Sequence, residues 1–230
     1  MRLKSILVAA ATSTLLAMPA QARDDSMYVE LNHAIAGAMK VNNLEVDVGT
    51  TPNAAELFHV RGLDVGGIVG YDLGRFRVEG EVSWRKTNAE SLFSVVRIPD
   101  NTALSPTSPT GNFNTVFSKI SAGSLMLNGL VDVGNDDGFQ AFAGGGVGLA
   151  QVKGQYSINR LGPGWIDDSS TGFAWQALAG VRYPVSNHID LGLKYRFFNA
   201  SNVEWVDSGG RAVETTFRSH SLMFTVGYNF

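Results

Sequence analysis

Residues 75–85 read RFRVEGEVSWR, and their polar and apolar side chains alternate without a break. A period of two residues is that of a β-strand, whereas a helix would scatter the charges around its circumference. One face of the predicted strand carries five charged side chains, and the other face is entirely apolar. Such a strand suits either a soluble sandwich with its charges in water or a transmembrane barrel with its charges in a polar lumen.

The same alternation recurs in seven other segments, at residues 28–38, 63–73, 125–133, 139–152, 173–183, 189–197 and 221–230. Ordinary strands have about five or six residues, whereas strands that cross a membrane need about 9–11. Most of the eight segments reach ten or more residues, and outer-membrane barrels have an even number of strands. Length and number together predict an all-β fold, an eight-stranded antiparallel up-and-down transmembrane β-barrel.

The connections between these segments alternate in length. Three are short, at residues 74, 134–138 and 186–188, and four are long, at residues 40–62, 86–118, 153–172 and 199–216. This alternation is typical of a barrel with short periplasmic turns and longer extracellular loops. We therefore predict three short periplasmic turns and four long outer loops. Two apolar clusters inside these loops, at residues 92–96 and 203–206, are either binding surfaces or extensions of the strands above the membrane.

Aromatic residues gather near both predicted ends of the segments. The predicted periplasmic ends carry Tyr28, Tyr71, Phe76, Tyr183, Tyr228 and Phe230, and the outer ends carry Trp84, Phe173, Trp175 and Phe197. Two aromatic belts are expected where a barrel crosses the two membrane–water interfaces. The distribution therefore favours the transmembrane setting.

The first residues of the chain have the pattern of an export signal. Arg2 and Lys4 precede an apolar run at residues 6–18, and Ala20-Gln21-Ala22 is a small-residue cleavage site. The apolar run has about 13 residues, too few to cross about 30 Å of hydrocarbon as a helix. We predict a signal peptide at residues 1–22 and an outer-membrane β-barrel domain at residues 23–230.

Composition excludes several classes of site. The chain has no cysteine, which excludes disulfides, cysteine-based zinc sites and thiol nucleophiles. Its net charge of −3 provides no basic field for nucleic acid, and its four histidines lack a metal-binding spacing. His220 and Ser221 are adjacent on a predicted strand, so their side chains should point to opposite faces. A nucleophile and its base must lie within hydrogen-bond reach, so these two residues should not form a catalytic pair. We therefore expect no cofactor, no nucleic-acid partner and no enzymatic activity.

The end of the chain resembles the C-terminal assembly signal of bacterial outer-membrane proteins. The residues that carry this resemblance are Leu222, Phe224, Val226, Tyr228 and Phe230. The predicted mature chain is similar to the eight-stranded group that includes the OmpA membrane domain, OmpX and the opacity-type porin-family proteins. The resemblance implies a place in the outer membrane of a Gram-negative bacterium. It also implies outer-membrane lipids, lipopolysaccharide and the outer-membrane assembly machinery as partners.

Strand parity assigns a set of charged side chains to the lumen. The candidate lumen network consists of Arg75, Arg77, Glu79, Glu81, Arg85, Asp132, Arg182, Asp190, Lys194 and Arg196, with Glu30, Asp64 and Asp72 also facing inward. An eight-stranded barrel is only wide enough to be filled by side chains, and buried charges without partners are costly. We therefore expect salt bridges that plug the lumen. A gated or narrow pathway, in which ion pairs exchange partners, remains the alternative.

The predicted function is envelope structure and surface display, with long loops that mediate adhesion or another surface interaction. The resemblance does not identify the loop ligand, because the group shares a barrel and differs in its loops. One alternative is a small porin or a channel for hydrophobic compounds, which would need a continuous lumen. A lipid A-modifying enzyme and a soluble exported sandwich are the remaining alternatives.

Overall fold

The computed structural model describes residues 25–102, 105–107, 110–114, 116–134, 138–158 and 164–230. The predicted signal peptide, residues 1–22, lies outside the described residues. Within the described part of the chain, no helix is long and apolar enough to cross a membrane.

The described residues form fourteen strands. These are β1 (Ser26–Val41), β2 (Leu44–Val48), β3 (Thr51–His59), β4 (Leu63–Asp72), β5 (Phe76–Thr87), β6 (Ala89–Ser94), β7 (Pro99–Thr102), β8 (Ser105–Thr107), β9 (Gly111–Phe113), β10 (Phe117–Gly134), β11 (Gln140–Ser157), β12 (Ile166–Pro184), β13 (Ile189–Val206) and β14 (Ala212–Asn229). Eight of them pair in the order β1-β4-β5-β10-β11-β12-β13-β14, and β14 pairs back with β1. All these neighbours are antiparallel, which confirms the predicted eight-stranded architecture.

Three of the eight strands are broken, and their outer parts carry separate labels. β2 follows β1 after Asn42 and Asn43, β3 precedes β4 across residues 60–62, and β5 leads into β6 at Asn88. The breaks lie side by side, because the Val60 amide donates to the Asn88 carbonyl (3.0 Å) and the Gly62 amide donates to the Met39 carbonyl (3.1 Å). Below we call the part on the side of the short turns the lower barrel and the part beyond the breaks the upper barrel.

The upper barrel keeps the same number of strands. β2 pairs with β14, β3 with β2 and β6 with β3, while the Ser118 hydroxyl of β10 donates to the Ala89 carbonyl of β6 (3.2 Å). β2, β3 and β6 therefore take the places that β1, β4 and β5 hold in the lower barrel. β7 and β8 pair with each other and form a separate two-stranded sheet.

The boundaries of the four predicted outer loops need correction, because much of each loop is strand. Residues 40–62 contain β2 and β3, and residues 86–118 contain β6 to β9. β11 continues to Ser157, β12 begins at Ile166, β13 runs to Val206 and β14 begins at Ala212. The apolar cluster at 203–206 lies in β13 and most of the cluster at 92–96 lies in β6, so both belong to strand extensions.

The two parts of the barrel differ in what fills them. The upper barrel contains a large apolar core, with Leu44, Val46, Leu57, Tyr156, Trp165, Phe198, Trp205 and Phe217 among its buried members. The lower barrel is filled mainly by polar and charged side chains, and its outer surface carries exposed apolar residues. Prominent among these are Leu31, Val69, Val82, Leu125, Leu127, Leu149 and Phe224.

The aromatic side chains that were predicted to form the two belts lie on the outer surface of the barrel, with one exception. Tyr71, Phe76, Trp84, Phe173, Trp175, Tyr183 and Tyr228 are among the exposed large hydrophobic residues. Tyr28 does not belong to the periplasmic belt, because it is only 3% exposed and its hydroxyl donates to a carboxylate in the lumen. Its position on β1 alternates with the outward residues Leu31 and His33, so parity places it inside.

Candidate functional site: the charged lumen

Nine of the ten charged side chains assigned to the lumen are buried within it. They are Arg77, Glu79, Glu81, Arg85, Asp132, Arg182, Asp190, Lys194 and Arg196. Arg75 is exposed and does not join them. The reason is local: β5 begins only at Phe76, and Arg75 belongs to the tight turn in which Gly74 adopts a left-handed φ of 84°. The assignment of Arg75 to the lumen was therefore wrong.

The first layer of the network, closest to the short turns, centres on Arg77. Its guanidinium donates two hydrogen bonds to Asp132, Nε to Oδ2 at 2.7 Å and Nη2 to Oδ1 at 2.9 Å. Its Nη1 lies 3.4 Å from Glu79 Oε1. The same carboxylate oxygen accepts a hydrogen bond of 2.6 Å from the Tyr28 hydroxyl. A two-point arginine–carboxylate contact of this kind fixes direction as well as charge.

Three further pairs complete this layer. Arg182 donates from Nη2 to Asp72 Oδ2 at 2.8 Å and reaches across the lumen to do so. The Lys194 ammonium pairs with the Glu30 carboxylate. The Asn229 amide donates to Asp190 at 2.9 Å.

The middle layer joins carboxylates to neutral amides. Asn128 donates to Glu81 at 3.1 Å, and Gln176 donates both to Glu81 at 3.0 Å and to the Asn128 side-chain oxygen at 2.8 Å. Gly146 makes room for this arrangement, because a Cβ there would lie 1.9 Å from the Asn128 oxygen. The glycine-rich stretch of β11 therefore allows the amide of the neighbouring strand to reach the carboxylates.

The last layer, next to the upper barrel, centres on Asp64. Its carboxylate lies 3.3 Å from Arg85 Nε and 3.2 Å from Arg196 Nη1, and it accepts a hydrogen bond of 2.7 Å from the Ser221 hydroxyl. Arg196 also links this layer to the middle one through Glu81 at 2.7 Å. The guanidinium carbon of Arg85 lies 3.7 Å from the Phe198 ring centroid. This cation–π contact joins the network to the apolar core above it.

Acids outnumber bases in the lumen. The buried acids are Glu30, Asp64, Asp72, Glu79, Glu81, Asp132 and Asp190, against Arg77, Arg85, Arg182, Lys194 and Arg196. Neutral donors from Tyr28, Asn128, Gln176, Ser221 and Asn229 contact the carboxylates. The arrangement therefore combines ion pairs with neutral hydrogen bonds, as buried charges require.

Parity already pointed to several of the residues that complete the site. Glu30, Asp64 and Asp72 were assigned to the lumen from their positions on the strands, and they lie there. Asn128 and Gln176 were not among the predicted lumen residues, although both share a face with inward charges. Their side chains are neutral, whereas the prediction rested on charge; a polar residue on an inward face is the signal that identifies them.

His220 and Ser221 do not form the pair of base and nucleophile that a hydrolase requires. Its ring contacts the Tyr195 hydroxyl at 2.6 Å on the outer face, whereas the Ser221 hydroxyl bonds Asp64 in the lumen. The two side chains therefore lie on opposite sides of the barrel wall. Among the described residues, no cluster of three or more histidines and carboxylates has the geometry of a metal site.

The terminal residues of β14 form an outward apolar row. Phe224, Val226 and Tyr228 are exposed on the outer face, Leu222 is half-buried, and the Phe230 amide donates to the Met27 carbonyl at 3.1 Å. Their role as an assembly signal stays a prediction.

Comparisons with known proteins agree with this architecture. Residues 8–230 match the family described as "Outer membrane protein beta-barrel domain". The chain is 32% identical over 93 residues to outer membrane protein PagN of Salmonella typhimurium, with 38% of each protein covered. It is 31% identical over 134 residues to a candidate adhesin of Rickettsia conorii, with 52% of each covered. The chain thus spans about half or less of the length of these curated relatives.

One solved structure shows the same fold. The crystal structure of Neisserial surface protein A matches with a TM-score of 0.50 at 16% sequence identity, over 89% of this chain and 97% of that one. At this level of identity the likeness concerns the fold alone.

Proposed function

Because the chain belongs to the outer membrane protein β-barrel domain family, we propose that it is a surface-display barrel whose upper part mediates adhesion. The lower barrel anchors this part in the outer membrane. The observation that carries the proposal is the upper barrel itself, where eight strand paths continue beyond the apolar outer band around a packed apolar core. A flexible tether needs no such core, whereas a rigid binding platform does.

The names of the relatives support the same role. PagN is an outer-membrane protein, and the Rickettsia conorii relative is named as a candidate adhesin. Because each match covers only part of the relative, adhesion comes to this chain as a proposal.

The role of the upper barrel can be tested with two neighbouring residues of β3. Leu57 is buried in the upper core, whereas Glu56 lies on the opposite face. Leu57→Asp places a charge in the apolar core and should disorder the upper barrel, while Glu56→Gln should leave it intact. Each variant is expressed in a non-adherent Gram-negative host, and attachment of the bacteria to epithelial cells is counted.

We expect the unmodified chain and Glu56→Gln to increase attachment, and Leu57→Asp to abolish the increase at equal surface density. Equal density is checked by the heat-dependent shift in gel mobility of membrane fractions. If Leu57→Asp does not assemble, the milder Leu57→Ala replaces it. Attachment that never exceeds that of the empty host would overturn the proposal.

We further propose that the lower lumen is closed to ions. The layered ion pairs support this view. Arg77 joins the adjacent strand through Asp132. Arg196 crosses the lumen to Glu81 and Asp64, and Arg182 crosses it to Asp72. The refolded chain in a planar bilayer should give no reproducible current steps. Steady steps would mean that the pairs open, and the small-pore alternative would then take first place.

We also propose that the barrel has no catalytic role. The separation of His220 from Ser221 by the barrel wall supports this proposal. Mass spectrometry of lipid A from a host that overproduces the chain should show no change. An altered acyl pattern would favour the lipid-modifying alternative.

A further inference from the structure

A cleft of about 680 Å³ opens on the outer surface beside the breaks in the barrel wall. It is lined by Gly37, Ala38, Lys40, His59, Val60 and Arg61. None of these lining residues is acidic. The ring of His59 forms the inner side of the cleft, because its Nε2 lies 3.2 Å from the Tyr156 hydroxyl in the upper core.

The cleft is built by a wide bulge in β1. β1 pairs with β14 at Ala34 and resumes at Met39, so residues 35–38 bulge out between these two points. Within the bulge Gly37 adopts a left-handed φ of 76°, and a Cβ there would lie 3.1 Å from a guanidinium nitrogen of Arg61. The glycine therefore both permits the bulge and leaves space for the arginine against it.

The cleft lies where the outer surface changes from apolar to charged. On β14 the outward residues pass from Phe224 and Leu222 through His220 to Arg218, and Lys40 lies directly opposite His220. His220 in turn packs against Phe197 with ring centroids 4.9 Å apart, in the predicted outer aromatic belt. This is the level of the lipid headgroups in the outer leaflet.

The two cations of the cleft have no acidic partner among the described residues. Lys153, on the opposite side of the barrel, differs, because it pairs with Asp167 at 3.3 Å. Lys40 and Arg61 are thus available to an anionic ligand. Arginine is well suited to phosphate, since its planar guanidinium can donate two parallel hydrogen bonds.

A second depression, apolar and of about 540 Å³, lies below the cleft on the lipid-facing surface. Its floor includes Gly67 and Gly80, and its rim includes Leu31, Val69 and Val82. Gly67 follows Arg61 by six positions, a distance of about 20 Å for an extended chain. Local packing does not require these glycines, because the nearest atom to an added Cβ would be 3.8 Å away at Gly67 and 3.9 Å away at Gly80.

We propose that the two features together seat one phosphorylated glycolipid of the outer leaflet, of the lipid A type. Its phosphate contacts Lys40 and Arg61 in the cleft, and one acyl chain lies in the glycine-floored depression. Basic pockets at the membrane surface hold anionic headgroups by this combination of charge and position. The site goes beyond surface display, since it binds the barrel to a particular lipid.

The headgroup contact is tested with the full mature chain refolded in a mild non-ionic detergent. Native mass spectrometry measures the apparent Kd of diphosphoryl lipid A. The double variant Lys40→Gln/Arg61→Gln should bind at least about tenfold more weakly, because charge-assisted hydrogen bonds are lost. Lys153→Gln is the matched control and should bind as the unmodified chain does. Equal binding by the double variant, with folding verified by gel mobility, would overturn the proposal.

The acyl contact is tested with Gly80→Leu, which fills the depression without a clash at Cβ. This variant should weaken binding of diphosphoryl lipid A, while Gly123→Leu, at an outward glycine of the adjacent strand β10 that does not line the depression, should not. Inorganic phosphate and a polysulfated sugar serve as soluble probes. If either binds the unmodified chain as tightly as lipid A does, and Gly80→Leu changes neither, the cleft is a site for soluble anions and the lipid assignment fails.

Discussion

In the lower barrel apolar side chains point outward and charged ones inward, whereas in the upper barrel the apolar side chains point inward. β14 shows the change within one strand: Leu222 and Phe224 belong to the outward row, while Phe217 and Val213 are buried in the upper core. β14 has no bulge between these residues, so each row of side chains keeps its face. What changes is the row that carries the apolar residues: the outward row in the lower barrel and the inward row in the upper barrel. The medium outside the barrel, lipid below and water above, determines which face of a strand is apolar.

The comparison also explains why the lower lumen is charged. A register slip of one residue would turn the charged row toward lipid and the apolar row inward. Because that exchange is very costly, the charged lumen helps to specify one register. In the upper barrel the apolar core specifies the register in the same way, because a slip of one residue would turn its apolar row toward water.

The largest expected effect comes from breaking the charged lumen. Arg77→Ala leaves Asp132 and Glu79 without their guanidinium, and removal of one partner from a buried pair costs about 3–5 kcal/mol. Arg75→Ala, two residues earlier and exposed, should change the free energy of unfolding by less than about 0.5 kcal/mol. Thermal unfolding in detergent, followed by gel mobility, measures both. Equal melting of the two variants would contradict the network described above.

An apolar deletion in the upper barrel should have a more local effect. Leu57→Ala opens a cavity in the upper core, and such deletions cost about 2–5 kcal/mol. We expect faster proteolysis of the β2–β3 hairpin while the lower barrel keeps its melting temperature. Phe58→Ala, on the exposed face of the same strand, is the control. Loss of the lower barrel together with the hairpin would mean that the two parts unfold as one unit.

The difference in polarity between the two parts of the barrel determines how much of the fold could be predicted from the sequence. The strands that cross the lipid were predictable, because their outward apolar rows are long and regular. The outward apolar rows end near His220, where the apolar residues move to the inward row. A prediction based on the outward row alone therefore assigns the rest of the strand to a loop. The boundaries of all four predicted loops were therefore too low on the barrel.

The partners inside the lumen were less predictable than its membership. Parity gives the face of each side chain but not the stagger between strands, and the stagger determines which side chains are in contact. Arg77 pairs with Asp132 on the adjacent strand, whereas Arg182 reaches Asp72 across the lumen, 110 residues away in sequence. Tyr28 was assigned to a belt on its aromatic character, although its parity placed it inside.

Acid should weaken the upper barrel through His59. Burial lowers the pKa of this histidine from its usual 6.5 to about 4. The unfolded chain therefore takes up a proton below about pH 6.5 that the folded chain accepts only near pH 4, so stability is lost as pH falls through this window. His59→Gln should flatten the pH dependence of hairpin proteolysis between pH 7 and pH 4. An unchanged profile would mean that other groups control it.

The smallest effect concerns the outer surface of the upper barrel. Glu214 on β14 lies directly opposite Glu204 on β13 and Asp47 on β2. Like charges at directly opposed positions repel, and such cross-strand pairs are worth about 0.2–1 kcal/mol. Glu214→Gln should therefore stabilise the upper barrel slightly against proteolysis.

Ionic strength separates this repulsion from other consequences of the substitution. The advantage of Glu214→Gln should be largest in low salt and shrink toward zero near 1 M, where charges are screened beyond about 3 Å. Glu90→Gln, at an exposed position of β6, should show no comparable gain. A gain that persists in high salt would trace the effect to side-chain packing or strand propensity. The acidic row would then be electrostatically neutral for stability, in contrast to the charged lumen below it, where removal of a single partner unbalances the whole layer.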